Sequence, residues 1–344
     1  MTGALKVLTP GLHTTVQDLG RVGYQAQVVP VSGALDAVAL RLGNALVGNP
    51  PGTAALEILY RGPSIEVAAD TVRVAVAGAG ASLLIGAEGG RAVAAWQSVA
   101  VARGEVVQII PGPDTVCAYL AVEGGIAVPP VLGSASTYVR AGLGGFAGRA
   151  LRQGDLVPLA QGQPPPRPER HLPTPPAAEG GQPIRVILGP QQEYFTAEAV
   201  AALLGAEFRV SNSADRMGMR LDGPLLRHRQ GWDIVSDAIA TGAIQVPGSG
   251  QPILLLADHQ TTGGYPKIAT VISADLPVVG RRRPGDPVRF AAVDVAEAEQ
   301  LARDAEQQIA DLIAAFEPVA DRGTLDLATL YAGNLISGVL NAHD

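Results

Sequence analysis

Short apolar runs, broken every few positions by Gly, Pro, Asn or Asp, dominate the first part of the chain. Ser64–Val67, Val72–Ala77, Ala81–Ile85, Ser98–Ala102, Val106–Ile110 and Val116–Val122 have the length and β-branched content of strands. One segment departs from this pattern. Leu35, Val38, Leu42 and Leu46 fall at helical spacing, and Gly48-Asn49-Pro50 ends the run. The strand pattern resumes at Ile184–Leu188 and continues at Glu207–Ser211, Ile234–Ser236, Ala243–Val246, Ile253–Ala257 and Ile268–Ser273. Thr196 is placed to cap a short helix through Leu204, and Gly248-Ser249-Gly250 reads as a hairpin turn. Val293–Phe316 is helical, with Ala296, Leu301, Ile309, Leu312 and Ile313 as its apolar positions, and Pro318 stops it.

The pattern predicts a mainly β fold with a few helices. A Gly-acid-x-Val turn opens a strand three times, at Gly104–Val107, Gly154–Val157 and Gly285–Val288, and the last two sit at the ends of the two expected domains. That recurrence points to two β-barrels in tandem. The organisation expected is a first barrel over 1–160, a linker over 161–183, a second barrel over 184–290 and a helical extension over 291–344. The linker rests on the run QGQPPPRPERHLPTPPAAEGGQP, whose prolines favour an extended backbone; a surface loop within one domain is the alternative. Leu325–Leu340 adds an apolar stretch to the tail.

Composition narrows the function. Of 344 residues, 47% are hydrophobic and 17% charged, enough apolar surface for a large core; 42 Gly and 27 Pro favour frequent turns. A net charge of -7 argues against a nucleic-acid partner. The one dense basic run, Arg281–Arg283, reads as a solvated loop before Pro284-Gly285 or as an anion site. The single cysteine, Cys117, sits in an apolar run and reads as a core residue. No cysteine-rich or histidine-spaced metal site is present, so no metal is expected. The start of the chain lacks a signal-peptide pattern and no run reaches a membrane span, so a cytoplasmic protein with no membrane association is expected. There is no GxxxxGK[ST] phosphate loop, no GxGxxG opening a helix, and no Met-Lys-Met biotin-carrier segment.

Three polar clusters are candidates for chemistry. His13–Arg21 packs an imidazole, hydroxyls, an amide, a carboxylate and a guanidinium into one stretch. His13 is a natural proton shuttle, and Asp18 can orient His13 or Arg21. The alternative is a polar turn that satisfies its own backbone. Ser32 and Asp36 precede the first helix, where they either cap it or frame an anion site at its N-terminus. The third cluster is Asp258-His259-Gln260-Thr261-Thr262-Gly263-Gly264-Tyr265-Pro266-Lys267. Gly263 and Gly264 allow close backbone approach, Gln260, Thr261, Thr262 and Tyr265 can hydrogen-bond a cyclic amide, and Lys267 can neutralise an oxyanion. Lys267 is one of two lysines among 25 basic residues, which singles out its ammonium. Ser211–Gly218, with Arg216, reads as a further polar loop.

These clusters, in this order, resemble one family. Gly11–Arg21, Val31–Asp36, Asn44–Asn49, Glu57 and Arg61-Gly62-Pro63 are similar to its N-terminal half. Asp215–Leu221, Gly223-Pro224, Gly242–Pro247 and Gln260–Ile268 are similar to its C-terminal half. It is the biotin-dependent carboxyltransferase-like family. Its members include the C component of the prokaryotic 5-oxoprolinase (formerly allophanate hydrolase subunit 2), the carboxyltransferase region of urea amidolyase, and KipA. The likeness runs from about Leu8 to Phe290. His259 stands where many relatives carry Arg, and Met219 where an aromatic is common.

The resemblance implies two cyclophilin-like β-barrels, a small cyclic-amide or ureido substrate, and two protein partners, one KipI-like and one LamB/YcsF-like. It leaves three functions open. The first is the C component of a heteromeric, ATP-dependent 5-oxoprolinase, with ATP used at the level of the complex. The second is carboxyl transfer from carboxybiotin to urea or a similar amide. The third is a KipA-like binding protein. Under the first two, Lys267, His13 and Asp18 are the catalytic candidates. Gln260–Tyr265, Arg216, Arg21, Ser32 and Asp36 are the substrate-binding ones.

Overall fold

In the computed structural model, residues 3–86, 90–113, 115–176 and 181–320 are described. Strands β1 (Ala4–Thr9) and β2 (His13–Gln17) precede helix α1 (Ala37–Leu46). The chain then runs through β3 (Ala55–Leu59), β4 (Ser64–Val67), β5 (Thr71–Ala77), β6 (Ser82–Ile85), β7 (Arg91–Ala94), β8 (Gln97–Ala102), β9 (Val106–Ile110) and β10 (Cys117–Val122). Strands β11 (Leu156–Pro158) and β12 (Arg170–His171) follow. Two antiparallel sheets result, with strand orders β11-β1-β4-β9-β6-β7 and β2-β3-β10-β5-β8-β12, the second joined at its edge by a later strand.

Strand β10 shows why they stack. All six of its residues are buried. Ala118, Leu120 and Val122 enter the core between the two sheets, with Leu56, Ile58, Val74 and Val76 from neighbouring strands. Cys117, Tyr119 and Ala121 face the opposite way, into a second core with Leu40, Leu42 and Leu46 of α1. Period-two alternation with both faces apolar is the signature of a strand covered on both sides. The Asp36 carboxylate caps α1 by accepting from the Ala39 N–H at 3.0 Å.

The second half starts with β13 (Ile184–Leu188) and α2 (Ala197–Gly205), whose cap is Thr196. Strands β14 (Phe208–Asp215), β15 (Gly218–Asp222), β16 (Asp237–Ala238), β17 (Ala243–Gln245), β18 (Ile253–Leu255), β19 (Thr262–Gly263) and β20 (Lys267–Val271) come next. They are followed by α3 (Leu276–Gly280), β21 (Pro287–Val288), β22 (Phe290–Ala292), α4 (Val295–Ala314) and β23 (Glu317–Pro318). Eight strands form one sheet in the order β21-β14-β15-β18-β17-β20-β13-β22. Its two edge strands are separated in the chain by Arg289 alone, so the sheet has to curl until its edges nearly meet. This nearly closed barrel, beside the paired sheets, agrees with the tandem β-barrel expectation. The core on the α1 side of β10 continues into it through Val186, Phe208, Leu221, Ile244 and Ile268.

Several sequence expectations change. Ile234–Ser236 is not a strand; the chain pairs one residue later, at Asp237, in a two-residue ribbon with β19. Ser211–Gly218 is the tip of the β14–β15 hairpin, not a loop, with Arg216 and Met217 between the strands. His13–Gln17 is a strand with Thr14, Thr15 and Gln17 buried. Within the proline-rich stretch, Arg170–His171 is strand β12 and is fastened to its neighbours. His171 pairs with Gln97 of β8, and Glu169 receives hydrogen bonds from buried Arg73 at 3.0 and 3.1 Å. Helix α4 runs back over α1, joined by the bidentate Arg41–Glu306 pair at 2.7 and 2.8 Å. Strand β23 then completes the edge of the β2-containing sheet beside β12. The three recurring turn glycines, Gly104, Gly154 and Gly285, have φ of 80°, 86° and 91°, a left-handed geometry that explains the repeat. Leu325–Leu340 lies outside the described residues.

Leu120 is fully buried between the two sheets. Leu120→Ala is expected to lower unfolding free energy by about 2–5 kcal/mol in urea titrations, with little change in the denaturant slope.

Candidate functional site

The two halves meet through charge. Glu57 on β3 is fully buried, and Arg216, at the tip of the β14–β15 hairpin, reaches it across the interface. Arg216 Nε donates to Asp258 Oδ2 at 2.8 Å, and Nη2 donates to Asp258 Oδ1 at 3.2 Å and to the Gly33 carbonyl at 2.6 Å. Glu57 also accepts from the Leu35 N–H at 2.9 Å and from the Tyr119 hydroxyl at 2.6 Å. The Tyr119 hydroxyl in turn accepts from the Asp36 N–H at 2.9 Å. One cation between two carboxylates, with further donors on Glu57, is how buried charges avoid being left uncompensated. Burial disfavours the Arg216 cation, and the charges of Glu57 and Asp258 more than reverse that, holding its pKa far above the ordinary value.

This network floors a cavity of about 390 Å³. Its walls include His13 on β2, Tyr60 after β3, Tyr138 and Arg140 from one loop, and Asp215, Arg216 and Met217 from the hairpin tip. Exposed Leu12, Tyr60 and Val139 form an apolar rim. Burial, followed by the nearby Arg216 cation, lowers the His13 pKa, with Glu57 and Asp258 opposing. His13 is therefore a neutral imidazole at pH 7, and its buried Nδ1 has no hydrogen-bond partner. A neutral imidazole beside a fixed cation can accept a proton and pass it on.

A second cavity of about 400 Å³ lies on the other side of the hairpin tip, which contributes Ala214, Asp215 and Met217 to both. Asn212, Gln245, Gln260 and Tyr265 line it. Gln260 Nε2 donates to Gln245 Oε1 at 3.0 Å, so the two amides are ordered as a pair.

The sequence candidates separate accordingly. His13 and Arg216 share the first cavity; Gln260 and Tyr265 share the second. Thr262 and Gly263 are strand β19, which pairs with β16, while the Thr261 and Gly264 carbonyls accept from the Ile239 and Ile234 N–H groups. These four residues hold the 234–239 segment. Lys267 lines neither cavity. Its buried ammonium donates to Asp237 Oδ2 at 2.8 Å and to the Ala238 carbonyl at 3.0 Å, anchoring the same segment. Asp18 orients neither His13 nor Arg21 by a hydrogen bond; its oxygens accept from Gly20 N, Ala135 N and the Ser134 and Ser136 hydroxyls. This fixes the loop that presents Tyr138 and Arg140. Arg21 is buried, donates through Nη2 to the Ser136 carbonyl, and leaves Nε and Nη1 without partners. Burial lowers its pKa, with Asp18 and Asp258 opposing. Asp36 caps α1 and lies 3.6 Å from Arg281, so its own carboxylate occupies the helix N-terminus expected as an anion site. Ser32 lies instead against a smaller cavity at the junction of the halves. Among the described residues no group of three or more His, Cys, Asp or Glu side chains is arranged to hold a metal ion, and no helix is long and apolar enough to cross a membrane.

Tyr60, Tyr138, Arg140 and Gln245 escaped the sequence reading as a site, while Asp258 and Asn212 fell inside polar clusters without a role of their own. These four come from three separate segments, and nothing in local spacing joins them. The juxtaposition of Glu57 with Arg216, 159 residues apart, is likewise invisible in one dimension.

A fold of paired sheets and a nearly closed barrel, joined over a largely apolar cavity with a charged floor, defines a class of β-rich two-part proteins. The chain belongs to the carboxyltransferase family: the family model described as "Carboxyltransferase domain, subdomain A and B" matches residues 27–292. It is 34% identical to the C component of 5-oxoprolinase from Escherichia coli (strain K12) over 308 residues, covering 90% of this chain and 97% of that protein. The structure of TTHA0988 superposes with a TM-score of 0.75 at 38% identity, covering 84% of this chain and 55% of that one, so the chain spans about half of that solved protein. The Kluyveromyces lactis urea amidolyase structure gives a TM-score of 0.81 at 30% identity, covering 90% of this chain and 20% of that one.

Arg216→Ala would leave Glu57 and Asp258 buried without their cation. The expected loss is about 3–5 kcal/mol of unfolding free energy, read by denaturant titration at pH 7. The His13 ring is expected to titrate in NMR below the ordinary 6.5. The unfolded chain then binds the extra proton first, so stability falls as pH drops from 6.5 towards the folded value and levels off below it. His13→Ala should remove that component.

Proposed function

We propose that the chain acts as the C component of a heteromeric, ATP-dependent 5-oxoprolinase, with the His13 cavity holding the lactam. The observation that carries this reading is the extent of the relationship. The likeness takes in 97% of the Escherichia coli C component at 34% identity, so nearly all of that protein has a counterpart in this chain. The cavity suits the task. It is small, partly apolar and floored by fixed charge, and neutral His13 is available to take a proton from attacking water and give it to the departing ring nitrogen. Arg216 is committed to Glu57 and Asp258, so it organises the site without meeting substrate. Lys267 acts at a distance, by holding the 237–238 ribbon.

Among the described residues, the longer helices leave no uncapped N-terminus for a phosphate. The three helices longer than two turns, α1, α2 and α4, are capped by Asp36, Thr196 and Asp294 side chains, and two of these caps are anionic. We therefore assign nucleotide binding to a partner, in line with one KipI-like and one LamB/YcsF-like protein in the complex, with ATP supplying the drive for amide opening.

A second reading, carboxyl transfer from carboxybiotin to an amide, is favoured by the TM-score of 0.81 to urea amidolyase. The ordered Gln245–Gln260 pair in the second cavity fits a ureido ring. Biotin would supply the carboxyl group there.

The test is ATP-dependent release of glutamate from 5-oxoproline by this chain mixed with its two partner proteins. Activity is expected to vanish when this chain is left out. His13→Ala is expected to lower kcat by about 10²–10⁴ and to flatten the acid limb of the pH–rate profile. Partners that hydrolyse 5-oxoproline equally well without this chain would sink the reading.

A further inference from the structure

We propose that Arg140 is the specificity determinant of the His13 cavity, reading a carboxylate on the substrate and so selecting a carboxylate-bearing cyclic amide over a neutral amide such as urea. The inference rests on the placement of the lactam in that cavity. Two guanidinium groups line it. The first, Arg216, has its donors spent on Glu57, Asp258 and the Gly33 carbonyl. The second, Arg140, is exposed and forms no ion pair among the described residues. Its hydrogen bond is to the sulfur of Met217, a weak acceptor that leaves the charge uncompensated. The Met217 side chain is flexible and readily yields to a better acceptor.

Arg140 is also held in position. It sits in a 3-10 turn, Val139–Ala141, ended by Gly142 in the left-handed region. Tyr138 and Leu143 exchange backbone hydrogen bonds at 2.8 and 3.1 Å across that turn. Upstream, Asp18 clamps Ser134, Ala135 and Ser136. A planar fork on a fastened loop matches a carboxylate in two parallel hydrogen bonds, with little ordering left to do on binding. His13 lies in the same cavity, so a ligand held by its carboxylate at Arg140 brings its amide towards the imidazole. 5-Oxoproline carries a carboxylate next to its ring amide. Urea has none, and Arg140 would leave it unanchored.

The test is steady-state kinetics of the assembled complex with Arg140→Gln and Arg140→Lys, using 2-pyrrolidinone, the same lactam without a carboxylate, as a competitive inhibitor. Arg140 is exposed, so both variants should fold. Arg140→Gln is expected to raise KM for 5-oxoproline about tenfold or more, with kcat changed far less, and Arg140→Lys to fall between. The inhibition constant of 2-pyrrolidinone should stay the same. An unchanged KM, or a parallel weakening of 2-pyrrolidinone, overturns the assignment to Arg140 alone. A wild-type complex that consumes urea and ignores 5-oxoproline overturns both this assignment and the oxoprolinase reading.

Discussion

Arg216 is the constraint on which the rest of the molecule depends. A guanidinium and two carboxylates taken out of water are stable only together, because each charge removed strands another in a low-dielectric interior. The three belong to segments far apart in the chain: β3, the tip of the β14–β15 hairpin, and the stretch after β18. Satisfying them sets the position of the barrel against the paired sheets. The Gly33 carbonyl, the Leu35 N–H and the Tyr119 hydroxyl extend the network to the start of α1 and to β10. Whether such a network adds net stability over an apolar equivalent is secondary here; its geometry specifies one docking arrangement and penalises others.

The cavities follow from that docking. With Arg216 turned inward, the hairpin tip becomes a thin wall with a space on each side, one holding His13 and the other the Gln245–Gln260 pair. The same cation that fixes the wall helps burial to keep His13 neutral. Structure and proton chemistry are therefore coupled through a single side chain. The loop on the far wall is fixed independently, by Asp18, so the two sides of the first cavity are set by two separate carboxylate systems.

The two functional readings differ in which side of the hairpin does the work. Opening a lactam needs a proton carrier and an anchor, which the first cavity offers. Carboxyl transfer needs a ureido ring held by amides, which the second cavity offers. Both spaces share Asp215 and Met217, so a family of enzymes with either chemistry can keep one architecture. The Thr261–Gly264 ribbon and Lys267, the most prominent polar cluster in the sequence, serve to hold the 234–239 segment beside them.

Elements whose physics is local could be read from the chain alone. A continuous apolar run of strand length marked β10, helical spacing with Ser32 and Asp36 as candidate caps marked α1, and the Gly-acid-x-Val pattern marked the repeated turns. His13 and Arg216 were also legible as candidates, because imidazole and guanidinium groups in polar, glycine-flanked stretches stand out. Which polar residues line a cavity and which fasten backbone emerged only on folding. Asp18, Asp36, Thr261 and Lys267 look like site residues in one dimension; in the fold each has a polar group bonded to neighbouring backbone, while the Thr261 hydroxyl is buried without a partner. Glu57, Asp258 and Arg140 gain their roles from partners and cavities assembled by long-range contacts. Burial and proximity across the two halves are properties of the fold, and no local spacing encodes them.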